Sequence, residues 1–234
     1  MHLFHCPHID LPELELPEDE AHHALHVLRL REGAEVGLLD GRGGLAHASI
    51  ARCGKRSVLL HVQRVERTEQ ERRHAIHLAV APTKTSDRFE WFVEKAVEIG
   101  VDRIVPIATE RTERSHLRVD RLERVAVSAM KQSQRRWLPQ IAPLTPLNEL
   151  LAAPLPPQRL FGWCEGQHAP LMDVYTPTSE VLLLIGPEGD FSVAEAEQLR
   201  TAGFAAVSIG NARLRTETAA LAACTWMSLA QQRS

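Results

Sequence analysis

The chain has 234 residues, 44% of them hydrophobic, enough to bury the cores of two modest domains. A formal charge of −3 excludes a uniformly basic nucleic-acid binder and moves attention to local charge. Four scattered cysteines without a CxxC pair argue against a zinc site and a disulfide framework, and there is neither a secretory leader nor an apolar run of about 20 residues, so a cytoplasmic protein with no metal and no membrane partner is expected.

Residues 1 to about 68 hold short apolar runs cut by turn residues. The stretch GAEVGLLDGRGGLAHASI places Asp40-Gly41 and Gly43-Gly44 between strand-like segments, the chemistry of tight hairpin turns. A small β-rich module follows from that pattern. It is interrupted at PEDEAHHALHVLRL (17–30), where Ala21, Ala24, Leu25 and Leu28 fall at helical spacing. The charged run RVERTEQERRH (64–74) reads as a linker. The histidines at 2, 5 and 8 beside Cys6 lie in the opening strand region, and those at 22, 23 and 26 lack a carboxylate or cysteine set at a recognised metal spacing.

From Ala75 onward strands alternate with helices. AIHLAVAP is a strand. SDRFEWFVEKAVEIG is a helix with Phe89, Phe92, Val93, Ala96 and Val97 on one face, Ser86 as its expected cap and Gly100 as its terminator. RIVPIA is the next strand, followed by a basic helical segment near 117–134 and a Pro-rich connector over 139–157. Strands RLFGW and EVLLLIG come next, then a helix from Ser192 with Glu195 completing a capping box, the strand AAVSI, and a last helix over 216–231 with Thr216 as its expected cap. Such alternation predicts an α/β domain on a mostly parallel sheet.

Two of these strands end in glycine turns, LLLIGPEGDFS (182–192) and SIGNARLRTETA (208–219). Ligands of open α/β sheets sit at the carboxyl ends of strands, where glycine lets the backbone approach them. A glycine pair after a strand is also what a plain tight turn requires, so the signal is weak alone. GxGxxG and GxxxxGK[ST] are both missing, which argues against dinucleotide and ATP sites and favours a ligand held by backbone groups and apolar walls, such as the adenosine part of S-adenosylmethionine. Residues 111–136 carry eight Lys or Arg against three acids. A solvated, salt-bridged helix face and an RNA-contacting patch both fit that run.

The paired stretches LLLIGPEGDFS and IGNARLRTETA, in that order, resemble the signature of the RsmE family, the SPOUT-class methyltransferases of 16S rRNA uridine N3. Further matches are EAHHALHVLRLREGAEVGLLDGRGG, TKTSDRFEWFVEKAVEIGVDRIVPIATERT and KQSQRRWLPQI, so the likeness runs along the chain. Departures from the family pattern stand at Asp190 and at Asn211-Ala212-Arg213. The resemblance implies a PUA-like β-barrel RNA-binding domain over 1–70 and a trefoil-knotted SPOUT α/β domain over 71–234. It implies S-adenosylmethionine held by Leu184, Ile185, Gly186, Pro187, Glu188 and Gly189 on one turn and by Ile209, Gly210, Asn211, Leu214 and Thr218 on the other. Arg215 and Glu217 are the implied catalytic pair, and Lys84, Arg88, Gln132, Ser133, Arg135 and Arg136 the implied RNA contacts. A homodimer acting on 16S rRNA, within the small ribosomal subunit, completes the expectation; an RNA-binding relative without catalysis, or one acting on another base, is its rival.

Overall fold

The structure is a computed structural model that describes all residues except 11, 71, 115 and 234. Residue 71 falls in the expected linker and residue 115 in the basic segment, so those two points lie outside the described residues. The chain divides into two compact units, one formed by Met1–Glu71 with Val127–Leu138, the other by Arg72–Ala126 with Pro139–Ser234.

The first unit contains β1 (His2–His5), β2 (Glu13–Glu15), α1 (Glu18–His22), β3 (Glu35–Leu39), β4 (Gly44–Cys53) and β5 (Val58–Arg67). Its five strands form a sheet in the order β1-β3-β4-β5-β2, antiparallel except for the β1/β3 pair. Ala46, Ala48 and Ile50 of β4 and Val58, Leu60 and Val62 of β5 point alternately into one core, as period-2 patterning requires. Asp40-Gly41 and Gly43-Gly44 belong to a single β3–β4 hairpin rather than to separate turns. The Asp40 carboxylate accepts the N–H groups of Arg42 (2.7 Å) and Gly44 (2.8 Å) and so replaces the backbone bonds a tight bend loses.

Two expectations change here. The helix over 17–30 is shorter: α1 passes into a π-helical turn at His23–Val27, closed by the Leu28 N–H donating to the His23 carbonyl (3.0 Å). The run 64–74 is not wholly a linker either. Residues 64 to 67 finish β5 because Val65 packs on the core and pairs with Ala46.

The second unit contains β6 (Ile76–Val80), α2 (Ser86–Ile99), β7 (Arg103–Ala108), the start of α3 (Val119–Ser133), β8 (Gln140–Ile141), β9 (Thr145–Pro146), α4 (Leu147–Ala152), β10 (Gln158–Gly162), α5 (Leu171–Val174), β11 (Val181–Ile185), α6 (Val193–Thr201), β12 (Ala205–Val207) and α7 (Thr216–Gln231). The sheet is parallel, in the order β12-β10-β11-β6-β7-β8, with β9 adding to β7. All five residues of β11 are buried, which explains why VLLLI is a continuous apolar run and does not alternate.

Helix α2 buries the five residues expected of it and ends at Gly100 in the left-handed conformation, φ 102°. Its N-cap is Thr85, without a side-chain cap bond, so Ser86 lies one residue inside the helix. The Pro-rich stretch 139–157 is more than a connector, since it carries β8, β9 and α4, with Leu147 and Leu150 packed in the core. The capping box of α6 is present as expected, Ser192 and Glu195 each accepting the other's backbone N–H. At α7 the cap is Arg215 rather than Thr216, whose hydroxyl is used elsewhere.

Candidate functional site

Three neighbouring parallel strands, β10, β11 and β12, end on the same side of the second unit's sheet, and the loops that leave them enclose a cavity of about 990 Å³. Each departing segment carries a glycine on the cavity wall: Gly162, Gly186 and Gly210. The apolar part of the wall is Ile185, Phe191, Val207, Ile209 and Leu214; the polar part includes Glu165, Glu188, Asp190, Arg111 and Arg213.

The glycines do different work. A Cβ on Gly162 would lie 3.0 Å from both Ile185 Cδ1 and Ile209 Cδ1, and one on Gly186 would lie 3.1 Å from the Phe191 backbone nitrogen. Those two permit close packing of the wall itself. A Cβ on Gly210 meets nothing within 4 Å, so that residue leaves room for something other than protein.

Residues 207–216 are held on both sides. The Trp163 N–H donates to the Val207 carbonyl (3.3 Å), Ser208 N–H to the Ala169 carbonyl (3.0 Å) and Leu171 N–H to the Ser208 carbonyl (2.8 Å). On the other side the Thr216 hydroxyl donates to the Gly186 carbonyl (3.0 Å), fixing the first turn of α7 beneath the turn after β11. That turn is also tied down by Arg111, which donates to the Gly189 carbonyl (2.6 Å), and by Glu188, which accepts the Lys84 N–H (3.2 Å).

Of the eleven residues expected to hold the ligand, Ile185, Gly186, Pro187, Glu188, Ile209, Gly210, Asn211 and Leu214 line the cavity. Leu184, fully buried in the core, does not, and neither do Gly189 and Thr218. Side chains alternate along a strand, so Leu184 faces the opposite way from Ile185. The sequence reading missed the loop Trp163–His168 after β10. Its signal was present, because RLFG is a third strand ending in glycine.

Arg215 and Glu217 lie off the cavity wall, on either side of Thr216. Arg215 is exposed. Glu217 is buried, at 6% exposure, with Oε1 3.9 Å from Arg88 Nε and Oε2 making no hydrogen bond. Arg88, expected as an RNA contact, thus stands beside the expected catalytic acid. Lys84 pairs with Glu113 at 3.1 Å.

Gln132, Ser133, Arg135 and Arg136 fall in the first unit. The Ser133 hydroxyl donates to the Ala129 carbonyl (2.7 Å), and Arg136 pairs with Glu66 (3.1 Å), holding that carboxyl below its ordinary range. Much of the basic run is likewise internally paired, with Arg118 and Arg124 sharing Asp120 and Arg121 on Glu90. Cys164 reaches the cavity, but burial and the adjacent Asp190 carboxylate raise its thiol pKa, which disfavours the thiolate a nucleophile needs. Among the described residues, no cluster of three or more His, Cys, Asp or Glu is arranged to hold a metal, and no helix is long and apolar enough to cross a membrane.

The wall chemistry fits S-adenosylmethionine: an apolar slot with glycine-exposed backbone suits a nucleoside, while acids and arginines suit an amino-acid ammonium and carboxylate. Comparison with known proteins agrees. Residues 69–228 match the RNA methyltransferase domain family and residues 16–63 the RNA methyltransferase PUA domain. The chain is 30% identical over 207 residues to ribosomal RNA small subunit methyltransferase E of Synechocystis, covering 86% of this chain and 67% of that one. A solved structure from Porphyromonas gingivalis is 42% identical with a TM-score of 0.92, covering 100% of this chain and 99% of the other. The Neisseria gonorrhoeae ribosomal RNA small subunit methyltransferase E, solved with bound S-adenosylmethionine, is 30% identical with a TM-score of 0.89 and 98% of each chain covered.

Proposed function

Because the chain belongs to the ribosomal RNA small subunit methyltransferase E family, with its SPOUT-type α/β domain and PUA domain, we propose that it methylates N3 of one uridine in 16S rRNA of the small ribosomal subunit. S-adenosylmethionine-dependent rRNA methylation is its activity. The observation that carries it is the cavity at the ends of β10, β11 and β12, with α7 starting at its edge.

S-adenosylmethionine supplies a methyl group on a cationic sulfur. Ile185, Ile209 and Leu214 would flank its nucleoside, and the backbone at Gly210 would bond it. N3 of neutral uracil carries a proton, so reaction requires that proton to leave and the charge then shared by the ring carbonyls to be stabilised. Arg215, permanently charged and exposed, suits the stabilising role. Glu217, with one carboxylate oxygen that makes no hydrogen bond and the other 3.9 Å from Arg88, would take the proton directly or through water. Lys84, Gln132, Ser133, Arg135 and Arg136 serve RNA binding, with phosphate contacts supplying affinity and amides reading an unpaired base.

The reading includes a trefoil knot in the second unit, supported by the way residues 207–216 run between the 163–171 loop and the turn after β11. It also includes a homodimer and a cytoplasmic location beside the ribosomes. The test is methyl transfer from labelled S-adenosylmethionine to small subunits from a strain lacking the gene, with the modified nucleotide mapped by mass spectrometry. One N3-methyluridine is expected; single-turnover rates for Arg215→Ala and Glu217→Gln should fall by about 10² or more with cofactor affinity retained. Wild-type rates in both variants would leave RTET as a plain helix start.

A further inference from the structure

Asp190 joins two loops that line the same cavity. Its Oδ2 accepts the Cys164 N–H at 2.8 Å, across 26 positions of sequence, and its Oδ1 accepts the Phe191 N–H at 2.8 Å. Cys164 belongs to the loop after β10, whereas Asp190 ends the turn after β11. Asp190 also holds φ at 63°, in the left-handed region that glycine adopts without strain. A residue needed only for the turn is best served by glycine. A carboxylate kept in that conformation, with both oxygens bonded, points to a use for the side chain.

The rest of the 163–168 loop is secured differently. Trp163 stacks on His168, ring centroids 5.6 Å apart, and Arg200 lies 4.5 Å from its ring centroid. The Asp190 bond therefore fixes a loop already weighted by an aromatic stack. We infer that Asp190 is a positioning residue for S-adenosylmethionine binding: its carboxylate latches the loop after β10 to the turn after β11 and so fixes the wall against which the ligand binds. This rests on the proposal that the cavity holds S-adenosylmethionine.

Asp190→Gly and Asp190→Asn separate the latch from the turn. Glycine keeps the backbone shape and removes both side-chain bonds; asparagine keeps one acceptor oxygen. In the ligand-free protein, hydrogen exchange measured by mass spectrometry should quicken in the 163–168 segment of Asp190→Gly, and calorimetry should show cofactor affinity weakened about tenfold. The thermal midpoint should stay near that of the wild type. Should Asp190→Gly fail to fold, Asp190→Asn is expected to show both changes at smaller amplitude. Wild-type exchange in 163–168 overturns the latch, and faster exchange with unchanged affinity overturns the positioning role. Failure of the wild-type protein to bind S-adenosylmethionine would instead sink the cavity assignment, while the exchange comparison still tests the latch.

Discussion

Gly186 and Gly210 look alike in the sequence, since each follows an apolar strand and opens a turn. Only the surrounding atoms separate them. A side chain on Gly186 runs into the Phe191 backbone, whereas one on Gly210 enters open space on the cavity wall. Gly210→Val is therefore expected to fold with a wild-type thermal midpoint and to lose S-adenosylmethionine binding by at least about tenfold, read by calorimetry. Gly186→Val should lower the midpoint, because a Cβ at 3.1 Å from a backbone nitrogen forces the turn to move. Equal affinity in Gly210→Val would take that turn out of the ligand site. The same limit on sequence reasoning explains Leu184 and Thr216. Their neighbourhood was legible, but which face of the strand met the cavity, and which hydroxyl was spent on Gly186 rather than on capping α7, depends on contacts about 30 positions away.

Elements whose signals are local were legible. The apolar face of α2 and its glycine stop follow from spacing alone, and the Ser192–Glu195 capping box lies within four consecutive residues. Glu195 does more than the motif requires, since its Oε1 also accepts the Glu110 N–H (2.7 Å) and so ties α6 to the segment after β7. Ser192→Ala should cost about 1 kcal/mol through the lost cap bond. Glu195→Ala should cost more, because it removes the reciprocal bond and leaves the Glu110 N–H to find water. Thermal or denaturant unfolding checks the order, and a Ser192→Ala cost equal to or above that of Glu195→Ala contradicts it. Elements shaped by distant partners were less legible. The strands β8 and β9 inside a Pro-rich stretch exist only because β7 offers its edge to both.

At the scale of the whole molecule, what sequence patterning leaves open is how segments far apart in the chain combine. A knot and an assembly between copies, both implied only by the resemblance to a family, would leave no periodic trace. Assembly has a physical handle in the second unit. Helices α2 and α7 pack on each other yet leave Trp91 44%, Trp226 36% and Leu229 50% exposed. Large apolar side chains on two adjoining helices are poorly placed facing water, and covering each contributes about 1.5–3 kcal/mol. A two-fold contact counts each such residue twice, so three of them supply much of what a micromolar dimer needs. Light scattering should report a dimer at micromolar concentration. Trp226→Glu with Leu229→Glu should give a monomer that keeps its circular dichroism, since neither side chain is in the core. If the catalytic site is completed by the second copy, methyl transfer should fall with dimer content while the cavity still binds cofactor. A wild-type monomer with full activity, or a double variant that remains dimeric, would remove this face from the assembly.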